Sequence, residues 1–292
     1  MSAPDRARVG LAPAKVNLVL EVVGRRADGY HEIDTILQTL ALADGVTLRP
    51  GGPPGVSVTG PFAGGVPADE TNLAWRAAVA LGGIVGRPPG SLGIHLDKQI
   101  PAAGGLGGGA SDAATVLRLL EAEWGGLPQA ALLEAASSIG SDEAFFLLGG
   151  TARATGRGER VTPLPGLPPH GVVLFVPPGT IERKTASMFA ALGRLPFEHA
   201  CAAGEFTRHP PGRVTAGQVV NSFERVAFDV FPGLAGLQAG LEAAIGEPVR
   251  LAGAGPTLFW IGPTAQAAGV ASAARGMDCT VIATETVGPQ WR

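Results

Sequence analysis

Apolar positions along the chain follow two periods, and the segments that carry them alternate. Val16 to Val23 is rich in Val and Leu, the composition of a strand. Arg26-Ala27-Asp28-Gly29 is a turn signal, and Tyr30 to Leu42 continues as a second extended stretch. From Asp69 to Leu81 the spacing predicts a helix with Ala74, Ala77, Ala78 and Leu81 on one face, ended by Gly82-Gly83. Leu92 to Leu96 reads as a short strand. Beyond it Ala113, Val116, Leu117 and Leu120 fall at helical spacing, and Gly125-Gly126 stops that helix. Gln129 to Ser138 predicts another helix, a short apolar segment follows Gly140-Ser141-Asp142-Glu143, and Thr151 to Thr155 reads as a strand.

Pro163 to Pro169 is the clearest break in the pattern and divides the chain into residues 1–162 and 163–292. The second part begins with a strand, Gly171 to Val176, and a helix at about Arg183 to Leu192. A loop surrounds His209-Pro210-Pro211-Gly212, and helices are predicted at about Ala216 to Phe231 and Leu234 to Ile245. A hairpin from Arg250 to Trp260 encloses Gly253-Ala254-Gly255-Pro256. A helix near Ala265 to Ala274 and a strand from Cys279 to Ala283 complete an α+β pattern. No internal repeat is visible.

Composition narrows the function classes. A net charge of −3 gives no basic field, so nucleic acid is not an expected partner. Two uncharged runs resemble membrane spans at first sight. Val161 to Ile181 carries six prolines, and Leu251 to Ala274 is broken by Gly253, Gly255, Pro256, Gly262 and Pro263, so neither is read as a spanning helix. Met1 to Val9 has no apolar h-region after it, and Cys201 and Cys279 are too few for a disulfide framework and lack metal-ligand spacing. The expectation is a soluble cytoplasmic protein with two free thiols and no membrane association.

The chemistry concentrates at one junction. Ile100-Pro101-Ala102-Ala103-Gly104-Gly105-Leu106-Gly107-Gly108-Gly109-Ala110-Ser111-Asp112 is a glycine-packed loop running into a helix. Such a junction aims unpaired N–H groups and the positive end of the helix dipole at one point, and glycine lets the backbone approach a ligand closely. That is a phosphate site. With 44 glycines in 292 residues, a plain loop is the competing reading. No Gly-Lys-[Ser/Thr] follows, and the glycine spacing does not fit the dinucleotide fingerprint, so a third type of nucleotide loop is required.

Two further segments supply it. Ala12-Pro13-Ala14-Lys15-Val16-Asn17-Leu18, with Asp28-Gly29-Tyr30-His31 after it, lies near the start, and Leu251-Ala252-Gly253-Ala254-Gly255-Pro256-Thr257 near the end. In this order and spacing the three motifs resemble those of the GHMP small-molecule kinases. Within that superfamily the chain is similar to the branch that acts on a cytidylated methylerythritol in the non-mevalonate isoprenoid route. The resemblance covers nearly the whole chain. It departs from the family at Ala110 and Ala254, where Ser is frequent, and at Asn221-Ser222, where Asn-Asp is frequent.

The resemblance implies a two-domain α+β GHMP kinase fold. Its first domain is α/β, of ribosomal-protein-S5-like type with a left-handed β-α-β unit, and its second is ferredoxin-like. It implies ATP and Mg²⁺ as cofactors, a small-molecule substrate, and a monomer or weak homodimer. Asp142 is expected to take the proton of the substrate hydroxyl beside Lys15, with the γ-phosphate of ATP passing to that hydroxyl. Taken alone, Asp142 reads first as a helix N-cap and Lys15 as a solvated strand lysine, and the resemblance reverses both readings.

Tyr30 and Phe189 are the implied stacking residues for cytosine, and His31 presents a donor and an acceptor to the base edge. As lone residues they are ordinary core or turn positions. Asn17 and Thr185 match polar positions near the rest of the substrate. Pro101, Gly104, Gly105, Leu106, Gly107, Gly108, Gly109, Ala110, Ser111 and Asp112 are expected around the ATP phosphates, with Lys98 and Asn72 nearer the nucleoside. Ser111 is placed to touch a phosphate oxygen or Mg²⁺, or to cap the helix. A homoserine or mevalonate kinase, and a nucleotide-binding module without turnover, remain the alternatives.

Overall fold

The computed structural model describes residues 7–179, 184–197 and 201–289. A long antiparallel hairpin forms its spine: β1 (Arg8–Arg25) pairs along almost its whole length with β2 (His31–Pro50). Both strands exceed the predicted extents, because flanking polar and small residues keep pairing where the apolar run has ended. Positions 12–22 of β1 are almost uninterruptedly buried, the mark of a strand covered on both faces. The pairing slips between Pro13 and Lys15 and between Asn17 and Val19. Such irregularities re-aim side chains, and here they flank the two polar residues of the first motif.

The second edge of β2 is shared. Its far half pairs with β4 (Leu92–Asp97), which lies parallel to β3 (Gly55–Thr59). The intervening helix is α1 (Leu73–Val85), so β3-α1-β4 is a β-α-β unit. The near half pairs with β5 (Thr151–Gly156), which carries β6 (Arg160–Pro163). Helices α2 (Gly108–Trp124), α3 (Gln129–Ile139) and α4 (Glu143–Leu148) join α1 in a core with one face of this sheet.

A second sheet is antiparallel throughout, in the order β11 (Thr280–Glu285), β7 (Gly171–Val176), β10 (Leu258–Gly262), β9 (Arg250–Leu251). Helices α5 (Lys184–Leu192), α6 (Ala202–Arg208), α7 (Glu224–Val230), α8 (Leu234–Ile245) and α9 (Ala267–Ala273) accompany it. Its core does not stop at the Pro-rich break. Ala14, Val16, Leu18, Leu20 and Val22 of β1 belong to the same apolar cluster as Phe175, Phe259 and Trp260. Conversely β8 (Val220–Asn221) adds to the first sheet as a short parallel partner of β1.

Two expectations are corrected, and a third reaches beyond the described residues. The helix predicted over Asp69–Leu81 starts and stops one turn later, at Asn72 and Gly86. The Asn72 carboxamide caps the first amides, whereas Gly82 lies inside the helix, packed where a Cβ would meet the Arg87 carbonyl. The single helix predicted from Ala216 to Phe231 is a 3₁₀ turn, then β8, then α7. A tertiary partner, β1, extracts residues 220–221 from their local helical preference. The helix predicted from Arg183 begins at Lys184 among the described residues, Arg183 lying outside them.

Candidate active site

A cavity of about 710 Å³ opens where β1, the glycine loop, the turn before α4, α5 and the loop after β9 meet. Lys15 and Asn17, two apart on β1, project from one face into it. Lys15 Nζ donates to Asn17 Oδ1 (2.8 Å), Asn17 Nδ2 to Thr35 Oγ1 (2.8 Å), and Thr35 Oγ1 to the Val19 carbonyl (2.6 Å). This relay fixes the orientation of the Asn17 amide and aims the lysine. All three side chains are buried.

Across the cavity Asp142 Oδ2 stands 3.6 Å from Lys15 Nζ, and the Asp142 side chain is 38% exposed. Asp142 occupies the position before α4, yet its side chain makes no capping hydrogen bond. The N-cap reading therefore fails, and the carboxylate is left facing the cavity. Glu143, beside it, is buried, lines the same cavity and makes no side-chain ion pair among the described residues. Burial pushes its carboxyl up to about 7, against the opposing pull of its own amide and with help from the Asp142 charge.

The glycine loop has the geometry of an anion cradle. Gly107, in the left-handed region, is the N-cap of α2, so the amides of Gly108, Gly109 and Ala110 open the helix with no intrahelical acceptor. The loop is held from two sides. The Lys15 amide donates to the Leu106 carbonyl (2.9 Å), and Gly104-Gly105 abuts the turn after β9 so closely that a Cβ on Gly105 would lie 2.0 Å from the Ala252 carbonyl oxygen. That contact explains why both the second and third motifs are built of glycine. Ala103 is the one described non-glycine residue at positive φ, 58°, a conformation that costs an alanine about 1–2 kcal/mol.

Ser111 does not cap α2. Its amide already donates to the Gly107 carbonyl, its side chain is fully buried without a partner, and it does not line the cavity. The helix starts four residues earlier than a serine cap requires, because Gly107 supplies the turn.

Behind the loop lies a buried cluster of which sequence reasoning named Lys98 and Asp112 but missed Asp44. Lys98 Nζ donates to Asp112 Oδ2 (2.5 Å) and to Asp44 Oδ2. Asp44 Oδ1 accepts from the amides of Gln99 (2.6 Å) and Ile100 (2.8 Å), tying the end of β4 to β2 at the point where the loop departs. Burial opposes the charge on Lys98, but Asp112 and Asp44 outweigh it and raise the ammonium's affinity for its proton. Two buried carboxylates share that one ammonium. Burial, with Asp44 alongside, pushes Asp112 up to about 7 in spite of Lys98. Asp112 Oδ1 has no partner. No periodicity marks Asp44, which sits in an ordinary Ala-Asp-Gly step.

Of the other expected residues, Pro101, Gly104 to Ala110, Asp112, Lys98, Asn72, Thr185 and Phe189 all line the cavity. Asn72 does so with its side chain already committed, accepting from the Ala74 amide and donating to the Pro67 carbonyl. Tyr30 and His31 lie just outside. The Tyr30 ring is 54% exposed at the hairpin turn, with the Arg157 guanidinium 4.8 Å over its face. His31 stacks on Phe189 at 4.7 Å, and Phe189 meets Phe223 edge-on at 4.8 Å. Burial, helped by the positive Arg25, lowers the His31 pKa, so the imidazole is neutral at pH 7; its Nε2 has no partner. Arg157, which lines the cavity, makes no salt bridge to a carboxylate among the described residues.

No described helix is long and apolar enough to cross a membrane. The model of the GHMP kinases N terminal domain matches residues 72–150. A 4-diphosphocytidyl-2-C-methyl-D-erythritol kinase of Salinispora tropica is 40% identical over 287 residues, covering 94% of this chain and 87% of the relative. Its namesake from Pelotomaculum thermopropionicum is 37% identical, covering 96% and 98%. A crystal structure of 4-(cytidine 5'-diphospho)-2C-methyl-D-erythritol kinase superposes with a TM-score of 0.76 at 34% identity, over 96% of this chain and 100% of that one. A homoserine kinase from Cytophaga hutchinsonii shares the fold alone, with a TM-score of 0.68 at 16% identity over 99% and 97%. With such identity spread over nearly its full length, and with the three motifs gathered at one cavity, this chain belongs to the 4-diphosphocytidyl-2-C-methyl-D-erythritol kinases of the GHMP family.

Proposed function

We propose that the chain transfers the γ-phosphate of ATP to the 2-hydroxyl of 4-diphosphocytidyl-2-C-methyl-D-erythritol, with Asp142 as the base and Lys15 as its cationic neighbour. One observation carries this reading. The Asp142 carboxylate, freed from any capping duty, stands beside Lys15 in the same cavity as the open amides of α2. The hydroxyl proton passes to Asp142 as its oxygen attacks phosphorus, while the Lys15 ammonium steadies the charge on that oxygen. Asn17, held through Thr35, positions the lysine. Most of the acceleration comes from holding the two reactants in line and neutralising phosphate charge.

The nucleotide phosphates lie against Pro101, Gly104–Ala110 and Asp112, and Lys98 and Asn72 flank the nucleoside. The cytosine sits by Tyr30, His31 and Phe189, with the neutral imidazole offering one donor and one acceptor to the base edge and Thr185 nearby. Among the described residues no group of three or more His, Cys, Asp or Glu side chains is placed to hold a metal ion. Asp112 Oδ1, on the cavity wall without a partner, is a sparse donor that fits Mg²⁺ carried mainly by phosphate oxygens and water. Bound there, the ion would neutralise charge on the transferring group.

Residues 1–162 are the nucleotide-binding domain in this reading and residues 163–292 the second domain. The 4-1-3-2 strand order of the antiparallel sheet supports a ferredoxin-like second domain, and β3-α1-β4 supports the S5-like first one. The protein acts in the cytoplasm as a monomer or weak homodimer. The purified chain with Mg²⁺, ATP and the cytidylated substrate is expected to yield ADP and a product heavier by one phosphoryl group. ADP formation without phosphorylated product would refute the substrate assignment.

A further inference from the structure

The loop that closes the cavity beside Lys15 is held by a side chain from another element. Asn221, at the end of β8, is buried, and its Nδ2 donates to the carbonyls of both Leu251 (2.9 Å) and Gly253 (2.8 Å). Its Oδ1 accepts from the Phe223 amide (3.0 Å). A carboxamide is the side chain that meets this demand, offering two donors and an acceptor on one planar group. Next to it the Ser222 amide donates to the Leu20 carbonyl (2.8 Å), and Glu224 Oε1 accepts from the Leu251 amide (2.9 Å). Residues 221–224 therefore hold the end of β9 against β1.

The held loop is tightly placed. Gly253 has φ 57°, and a Cβ there would stand 3.1 Å from Lys15 Nζ and 3.4 Å from Asn17 Oδ1. Two residues on, a Cβ at Gly255 would collide with the Gly104 carbonyl at 2.2 Å. A small displacement of this turn thus presses on the lysine at one end and on the phosphate cradle at the other. The two carbonyls gripped by Asn221 bracket the beginning of that turn.

We propose that Asn221 is a positioning residue for nucleotide binding, its two amide hydrogens fixing the 253–255 turn against Lys15 and the glycine loop. The proposal rests on the kinase reading above and deepens it. The two ends of the carboxamide serve different halves of the cavity. The donor end holds the nucleotide side, and the acceptor end holds Phe223, which backs Phe189.

That division supplies the test. Asn221→Asp keeps the acceptor and loses both donors when ionised. Titration with a non-hydrolysable ATP analogue and Mg²⁺ is expected to show about tenfold weaker binding, with affinity for the cytidylated substrate within about twofold of wild type. Asn221→Ser, which retains one hydroxyl donor, is expected to fall between the two and covers the case in which the aspartate variant does not fold. Wild-type nucleotide affinity in either folded variant overturns the proposal. So does an equal loss of both ligands, which marks a structural role only. Wild-type protein that binds the analogue yet leaves the cytidylated substrate unphosphorylated would refute the substrate reading, while the nucleotide titrations still decide the role of Asn221.

Discussion

Lys15 stands 3.6 Å from the Asp142 carboxylate but gives its shortest side-chain hydrogen bond, 2.8 Å, to the Asn17 carboxamide. The lysine is thus aimed by β1 itself, and the aspartate meets it from a different element without being locked to it. In the proposed reaction, a carboxylate left free in this way can follow the substrate hydroxyl.

Replacing Asp142 by Asn is expected to lower kcat by about 10²–10⁴-fold while nucleotide binding survives, since the amide cannot take the proton. Steady-state rates and calorimetric titration with an ATP analogue check both halves. Turnover at the wild-type rate would remove Asp142 from the mechanism.

Arginine is not expected to replace Lys15. Gly107 and Gly253 approach the lysine so closely that added Cβ atoms would sit 3.1 Å from its Cγ and its Nζ, so a longer, planar guanidinium is expected to sit differently against these turns. Both Lys15→Arg and Lys15→Met should therefore lose kcat by roughly 10²-fold or more. Near-normal kcat in the arginine variant would show that charge alone suffices.

Arg157 is a cation on the cavity wall that stands over the Tyr30 ring and, among the described residues, forms no salt bridge to a carboxylate. An anionic substrate group is the partner such a cation lacks. Arg157→Ala is expected to raise KM for the cytidylated substrate about tenfold and to leave KM for ATP unchanged. A rise confined to ATP would place the arginine on the other side of the cavity.

Gly105→Ala tests the contact between the two glycine turns. Its φ is 88°, and the new methyl would meet the Ala252 carbonyl oxygen at 2.0 Å. Chemical denaturation should register a loss of about 1–3 kcal/mol, and nucleotide affinity should fall with it. An unaltered unfolding curve would mean the turns are not apposed in solution.

Glu143 should leave a signature in the pH dependence of stability. Its folded pKa is raised from 4.5 to about 7, so between those values the unfolded chain ionises while the folded one keeps its proton. The unfolded state then binds fewer protons, and stability falls as pH rises through that window. Glu143→Gln removes the effect. Above pH 7 it is expected to gain up to about 3 kcal/mol relative to wild type, and below pH 4.5 to gain nothing. Melting curves from pH 4 to 8 that run parallel for the two proteins would contradict the burial argument.

Local physics in the sequence already specified α2, the helix that the glycine loop opens. The stripe through Ala113, Val116, Leu117 and Leu120 and the glycines before it need only their neighbours to form α2, and all four apolar residues are buried. The strand at Gly171–Val176 and the helix at Leu234–Ile245 were legible for the same reason. Pattern marked the glycine loop, the family resemblance marked Lys15, Asn17 and Asp142, and these do line one cavity.

Tertiary structure decided what no local signal contains. Asp44 sits in an unremarkable tripeptide and becomes the buried grip on Lys98 and the loop because β2 brings it beside β4. Asn221 falls inside a predicted helix and instead forms a strand, because β1 offers it an edge. Sequence chose between helix and strand wherever an element buries its own periodic face. It stayed silent where a residue's partner lies some fifty to two hundred positions away (Lys98 for Asp44, Leu20 for Asn221), since only the folded chain brings such groups within hydrogen-bonding reach.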